Sequence, residues 1–133
     1  MSTSEPGFLS TLADAIPNLI AVYQFGSTVE DGEHPESDLD LAILAPRPLD
    51  NVDRWTIQEE IAAQLRRDVD LVDLHAASTV MQMQVLSQGN VLKEWDRTAR
   101  QQFEVHVYSA YALLNEERAG ILKDVQERGR IYG

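Results

Sequence analysis

The chain of 133 residues, 44% hydrophobic and 25% charged, is long enough to bury one core, so we expect a single domain over residues 1–133. Its formal net charge of −11 argues against unaided nucleic-acid binding and favours a partner protein with a basic surface. The sequence lacks cysteine, a signal peptide and any apolar run that could span a membrane, which excludes disulfides and predicts a cytoplasmic protein.

The first half of the chain alternates between a helix and two strands. A helix is predicted near residues 7–15, and it ends before Pro17. A β-prone apolar run at 19–25 follows and stops abruptly at Gly26, as a buried strand does at a turn. The alternation of apolar residues predicts a second strand near 39–44.

The middle of the chain repeats this helix and strand pattern. A second helix is predicted after Asp50, a candidate N-cap, and an apolar strand follows at 68–74. Ser78 is expected to cap a further helix that runs to Gly89, and residues 91–92 form a short last strand. The side chains expected to face inward from the helix after Asp50 are Val52, Trp55, Ile57, Ile61 and Leu65.

A long final helix is predicted near residues 98–128, because apolar side chains recur there at helical spacing until Gly129. Part of this helix must cover the small sheet. The remainder either completes the core or protrudes as a docking surface for a partner, and the sequence leaves both interpretations open.

Two short patterns indicate a site for a triphosphate and metal ions. Gly26 has no Cβ to keep phosphate oxygens away, and Ser27, at the start of a predicted helical turn at 28–32, offers an N–H and a hydroxyl. Asp38 and Asp40 open the second strand on one face, about 6.5 Å apart along it. Two hard cations about 3.5–4 Å apart would fit between such carboxylates and support in-line displacement at phosphorus.

A third carboxylate is expected on the neighbouring strand, where three aspartates compete. We predict Asp70, which would hold a metal and accept the proton of an incoming hydroxyl. Asp68 follows two arginines at a solvated turn, and Asp73 lies on the opposite face of the strand. The choice among the three stays open at this point.

These residues resemble the motif Gly-Ser, ten residues, Asp-x-Asp of the minimal nucleotidyltransferases of the polymerase-β-like superfamily. Gly26, Ser27, Asp38 and Asp40 match it without a gap, and Asp70 stands where that family has its third acid. The resemblance implies an α/β fold with a small mixed sheet, flanking helices and a long C-terminal helix. It further implies ATP as substrate, two Mg²⁺ ions held by the three aspartates as catalytic residues, and nucleotide binding at Gly26 and Ser27.

More narrowly, the chain resembles the antitoxins of prokaryotic HEPN–MNT toxin–antitoxin pairs. That resemblance implies transfer of AMP to a tyrosine hydroxyl of a cognate HEPN ribonuclease toxin, which is thereby neutralised within a hetero-oligomer. The spacer at 28–37 departs from the family, since it contains no arginine or lysine to touch phosphates. Two other functions therefore stay open, namely a catalytically weak or inactive antitoxin that acts by binding, and a transferase for a small alcohol such as an aminoglycoside.

Overall fold

The computed structural model describes residues 5–26 and 38–132, with side chains described as far as residue 121. Ser27 and the helical turn predicted at 28–32 lie outside the described residues. The helices within the described ranges are α1 (Gly7–Ala15), α2 (Asn51–Leu65), α3 (Thr79–Gln88) and α4 (Arg97–Tyr132). The strands are β1 (Ala21–Phe25), β2 (Leu39–Leu44), β3 (Val69–Asp73) and β4 (Asn90–Glu94).

The strands form one mixed sheet in the order β3-β2-β1-β4. Strand β1 is antiparallel to both of its neighbours, whereas β2 and β3 run parallel. The register pairs Phe25 with Asp40 and Asp40 with Asp70. The mixed α/β sheet with flanking helices that the sequence predicts is confirmed, and β2 lies between the strand that leads into Gly26 and the strand that carries Asp70.

Each face of the sheet has its own apolar core. Leu39, Leu41 and Ile43 of β2 pack on one face with residues of α1 and α2. Ala42 and Leu44 pack on the other face, where α3 and α4 contribute side chains. Burial of each large apolar side chain contributes about 1.5–3 kcal/mol, so these two layers fix which way every residue of β2 points. The predicted period-two alternation is confirmed.

Two helix N-termini carry the caps that the sequence predicts. The Asp50 carboxylate accepts a hydrogen bond from the Val52 N–H at 3.1 Å, and α2 starts at Asn51, directly after Asp50. The Ser78 hydroxyl oxygen accepts from the Met81 N–H at 3.1 Å at the start of α3. Each cap satisfies one of the N–H groups that a helix leaves unpaired, which is typically worth about 1 kcal/mol.

Two sequence predictions are wrong. Val52 and Trp55 do not face inward, since they are 69% and 56% exposed. The buried side chains of α2 are Ile57 and Ile61, and successive residues turn by about 100° around a helix, so the first pair points away from the sheet. The final helix also does not end at Gly129 but runs to Tyr132, because one glycine costs a helix only about 1 kcal/mol.

The base of α4 is fixed to the sheet by a polar cluster. The Tyr23 hydroxyl donates to the Glu104 carboxylate at 2.8 Å, and Arg100 bridges Glu104 and Glu94, at 2.7 Å in each case. Burial, and next the hydrogen bond to Glu104, raise the pKa of Tyr23 well above its ordinary value, so this phenol stays protonated. No helix in the described part of the chain is long and apolar enough to cross a membrane.

Candidate active site

Gly26 ends β1 in a backbone conformation that suits glycine alone. Its φ is +89°, a region that side chains with a Cβ rarely adopt. A Cβ built on this residue would overlap with the carboxylate of Asp40, which faces it from β2. Gly26 therefore lies directly against Asp40, and a residue with a Cβ at this position would strain the backbone and displace the Asp40 carboxylate.

The aspartates that the sequence predicts for the site lie near Gly26. Asp40 and Asp70 are register partners on the parallel strands β2 and β3, which lie about 4.8 Å apart. Asp38 lies one residue before β2, and its charge acts on Asp40 together with that of Asp70. Asp40 is half-buried, whereas Asp38 and Asp70 are exposed. The structure thus places Asp40 and Asp70 side by side at the end of the sheet where Gly26 lies, with Asp38 nearby.

The three carboxylates repel one another. Burial is the main cause that raises the pKa of Asp40, and the nearby charges of Asp70 and Asp38 raise it further. Oxygen-rich sites of this kind suit hard divalent cations, which offset the repulsion. Among residues 5–26 and 38–132, no three histidine or acidic side chains already converge as preformed metal ligands.

The structure distinguishes the three candidates for the third acid. Asp73 is 4% exposed, and its carboxylate accepts hydrogen bonds from the N–H groups of Leu49 at 2.6 Å and His75 at 3.0 Å. Asp68 precedes β3, outside the strand. Asp70 is the one of the three that adds to the repulsion at Asp40. Its placement agrees with the sequence prediction, while its catalytic and metal-binding roles stay predictions.

A groove of about 240 Å³ runs along the outer edge of β3 and includes Asp70 in its wall. Arg54 of α2 also lines this groove, and its guanidinium donates to the carbonyl oxygen of Leu71 at 3.0 Å. The side-chain oxygen of Gln58 accepts from the Leu71 N–H at 2.9 Å. The sequence analysis did not identify Arg54 and Gln58. The only feature of the sequence that indicates them is that they form a polar pair about one helical turn apart, in the helix that precedes β3.

The end of α3 packs against the end of β1. Gly89 follows this helix, and a Cβ built on it would lie 2.6 Å from the Val85 carbonyl oxygen and 2.7 Å from that of Gln24. Such distances allow no side chain without movement of the backbone. The close approach supports the last residues of β1 immediately before Gly26.

Comparison with known proteins places this geometry in a family. The model of the polymerase beta nucleotidyltransferase domain matches residues 9–98, which include β1, β2 and β3 with the motif. The chain belongs to the polymerase beta nucleotidyltransferase family. The family and fold implied by Gly26, Ser27, Asp38 and Asp40 are therefore confirmed.

Individual members of the polymerase beta nucleotidyltransferase family are similar over most of their length. The protein adenylyltransferase MntA of Shewanella oneidensis is 42% identical over 123 residues, which are 92% of this chain and 87% of MntA. A crystal structure of a toxin–antitoxin with AMP-PNP matches at a TM-score of 0.78 and 42% identity, over 89% of this chain and 94% of that one.

A third similar structure contains a modified toxin. It is the tri-AMPylated Shewanella oneidensis HEPN toxin in complex with its MNT antitoxin. The match has a TM-score of 0.74 and 39% identity, and it covers 90% of this chain and 93% of that chain.

Proposed function

We propose that this chain is an antitoxin that transfers AMP from ATP to a tyrosine hydroxyl of a cognate HEPN ribonuclease toxin and thereby neutralises the toxin. The observation that carries the proposal is the pairing of Asp40 with Asp70 beside Gly26. This site lies in a chain that is similar over 92% of its length to a protein adenylyltransferase.

Each motif residue has a distinct role in the proposed reaction. Gly26 and Ser27 bind the triphosphate through backbone N–H groups, and Ser27 adds its hydroxyl. Asp38, Asp40 and Asp70 hold two Mg²⁺ ions, which fit the three carboxylates as hard cations with oxygen ligands. Bound Mg²⁺ would polarise the phosphate oxygens and lower the pKa of the attacking hydroxyl.

The transfer itself is an in-line displacement at the α-phosphorus. The tyrosine oxygen forms a bond to phosphorus while the bond from phosphorus to the pyrophosphate oxygen breaks. The proton of the hydroxyl passes to the exposed carboxylate of Asp70. Asp40 is more buried and lies against the glycine turn, so it holds its position while the substrates bind.

The charge around the site makes nucleotide binding dependent on cations. Residues 28–37 contribute no lysine or arginine, and the whole chain has a formal charge of −11. A triphosphate next to three carboxylates is repelled unless divalent cations neutralise it. ATP is therefore expected to bind weakly in the absence of Mg²⁺ and far more tightly in its presence.

The C-terminal helix α4 is proposed to contact the toxin in the hetero-oligomer. Val105, Leu113 and Ile121 are 63%, 58% and 63% exposed, which leaves apolar area along the helix that the described residues do not cover. The bonds from Tyr23 and Arg100 to Glu104 hold the base of the helix, so a partner bound to it would have a defined orientation relative to the sheet.

Intact-mass analysis of the partner toxin tests the proposal. The toxin is incubated with this chain, ATP and Mg²⁺, and a parallel sample contains the double variant Asp38→Asn, Asp40→Asn. A mass gain in whole AMP units with the wild type and none with the variant would support the proposed reaction. Toxin neutralisation without any mass gain, by both proteins alike, would favour an antitoxin that acts by binding, as the spacer without basic residues also suggests.

A further inference from the structure

An exposed apolar pair lies on the first two turns of α2. Val52 and Trp55 are 69% and 56% exposed, and they are three residues apart, so their side chains are neighbours on the helix surface. Single exposed apolar residues are common, but tryptophan is among the residues that contribute most to binding at protein interfaces. The significance of this pair depends on its position relative to the groove beside Asp70.

Trp55 of this pair lies near the groove that contains Asp70. Asn51 and Arg54, from the same two turns of α2, line that groove. Trp55 follows Asn51 by four residues, which places it on the same side of the helix, one turn further along. Trp55 therefore forms an apolar rim on the α2 side of the groove, whereas Val52, about 100° around the helix from Asn51, points away from it.

The groove has the size and lining for one side chain. Its volume of about 240 Å³ is below the range of about 300–1,000 Å³ that is usual for small-molecule sites, which suits one side chain better than a whole nucleotide. Val72 and Ala76 supply apolar wall, while Asp70 and Asn51 supply polar groups. An aromatic ring that carries a hydroxyl matches this combination, with the ring on the apolar wall and the hydroxyl at Asp70.

The edge of β3 is closed to an added strand at this point. The N–H and carbonyl groups of Leu71 are already bonded to Gln58 and Arg54. A segment bound here thus cannot extend the sheet by main-chain pairing at Leu71 and has to bind through its side chains. Binding through side chains favours a segment that inserts one side chain into the groove and makes apolar contacts on either side of it.

We propose that the groove beside Asp70, with Trp55 as its rim, binds the acceptor segment of the partner toxin. The tyrosine that receives AMP enters the groove, and apolar residues next to it in the toxin pack on Trp55. This inference rests on the proposed function, because it assigns the acceptor side of the same site.

Trp55→Ala tests the rim, and Trp95→Ala is its matched control. Trp95 is also exposed, at 40%, but it follows β4 on the opposite edge of the sheet. The rate of AMP transfer is measured against toxin concentration and, separately, against ATP concentration. Trp55→Ala should raise the KM for the toxin about thirtyfold, the size of an interface hot spot, with the KM for ATP unchanged. Trp95→Ala should change neither value.

Ala76→Leu tests the groove independently of α2. Ala76 is exposed and lines the groove, so a larger side chain fills space that the tyrosine needs. Transfer to the toxin should fall at least tenfold, whereas the affinity for ATP and the thermal midpoint stay close to wild type. Ala63→Leu, at an exposed position of α2 outside the groove, is the control.

The outcomes separate the two proposals. If the wild type does not modify the toxin at all, the proposed function fails. If the wild type modifies the toxin and Trp55→Ala and Ala76→Leu both leave the KM for the toxin and the rate unchanged, the acceptor surface is elsewhere and this inference is overturned.

Discussion

Replacement of Gly26 by alanine should damage both stability and catalysis, and the structure gives the size of each effect. The φ of +89° at Gly26 is a strained conformation for alanine, with a cost of about 1–3 kcal/mol. The new Cβ also overlaps with the Asp40 carboxylate, which has to move. Since a displacement of about 1 Å in an active site can cost about 100-fold in rate, we expect a comparable loss of AMP transfer.

Chemical denaturation and the rate at saturating ATP and Mg²⁺ measure the two effects. Gly120→Ala is the control, because a Cβ there meets nothing within 4 Å. In the middle of α4 this change should stabilise the protein by up to about 1 kcal/mol and leave the rate unchanged.

A double-mutant cycle with Asp40→Ala separates the two causes of instability. Removal of the carboxylate eliminates the overlap but leaves the backbone strain, so the free energy of unfolding of the double variant should exceed the value expected from additivity. An unchanged free energy of unfolding and an unchanged rate for Gly26→Ala would refute the assigned geometry of this turn.

Three further predictions concern the polar cluster and the acids. Tyr23→Phe removes the hydrogen bond to Glu104 and should lower the free energy of unfolding by about 1–2 kcal/mol; an unchanged denaturation midpoint would contradict this. Mg²⁺ should raise the thermal midpoint of the wild type and raise that of Asp40→Asn much less, whereas equal shifts would argue against cation binding at this carboxylate. The pKa of Glu94 is lowered by hydrogen bonds from Arg100 and then Arg97. A carboxylate whose pKa is lowered by folding stabilises the folded state at every pH above its pKa in the unfolded chain. Glu94→Gln should therefore have a lower thermal midpoint than the wild type at pH 7. The difference should vanish as the pH falls through the lowered pKa of Glu94, and a constant gap would count against this pairing.

The sequence predicts the parts of this molecule that depend on local periodicity. Alternation in β2 places Asp40 on the face opposite Leu39 and Leu41, and the same rule separates Asp70 from Asp73 on β3. The caps at Asp50 and Ser78 are equally local, since each side chain bonds to an N–H two or three residues away.

Features that depend on tertiary packing could not be predicted in this way. Val52 and Trp55 fit an apolar helical pattern, but only the position of the sheet decides which face of α2 is buried. The bond between Tyr23 and Glu104 joins residues 81 positions apart, and no local pattern encodes it. Arg54 and Gln58 likewise bond to Leu71 only because α2 lies along the edge of β3.

The order of strands in the sheet has a consequence for synthesis of the chain on the ribosome. Strand β1 is central, yet one of its two neighbours, β4, ends only at Glu94. At about 5–20 residues per second, roughly 3–14 s pass between synthesis of Phe25 and of Glu94. Throughout that time β1 has at least one unpaired edge, and a chain truncated before β4 keeps the β4 edge open to pairing with other chains.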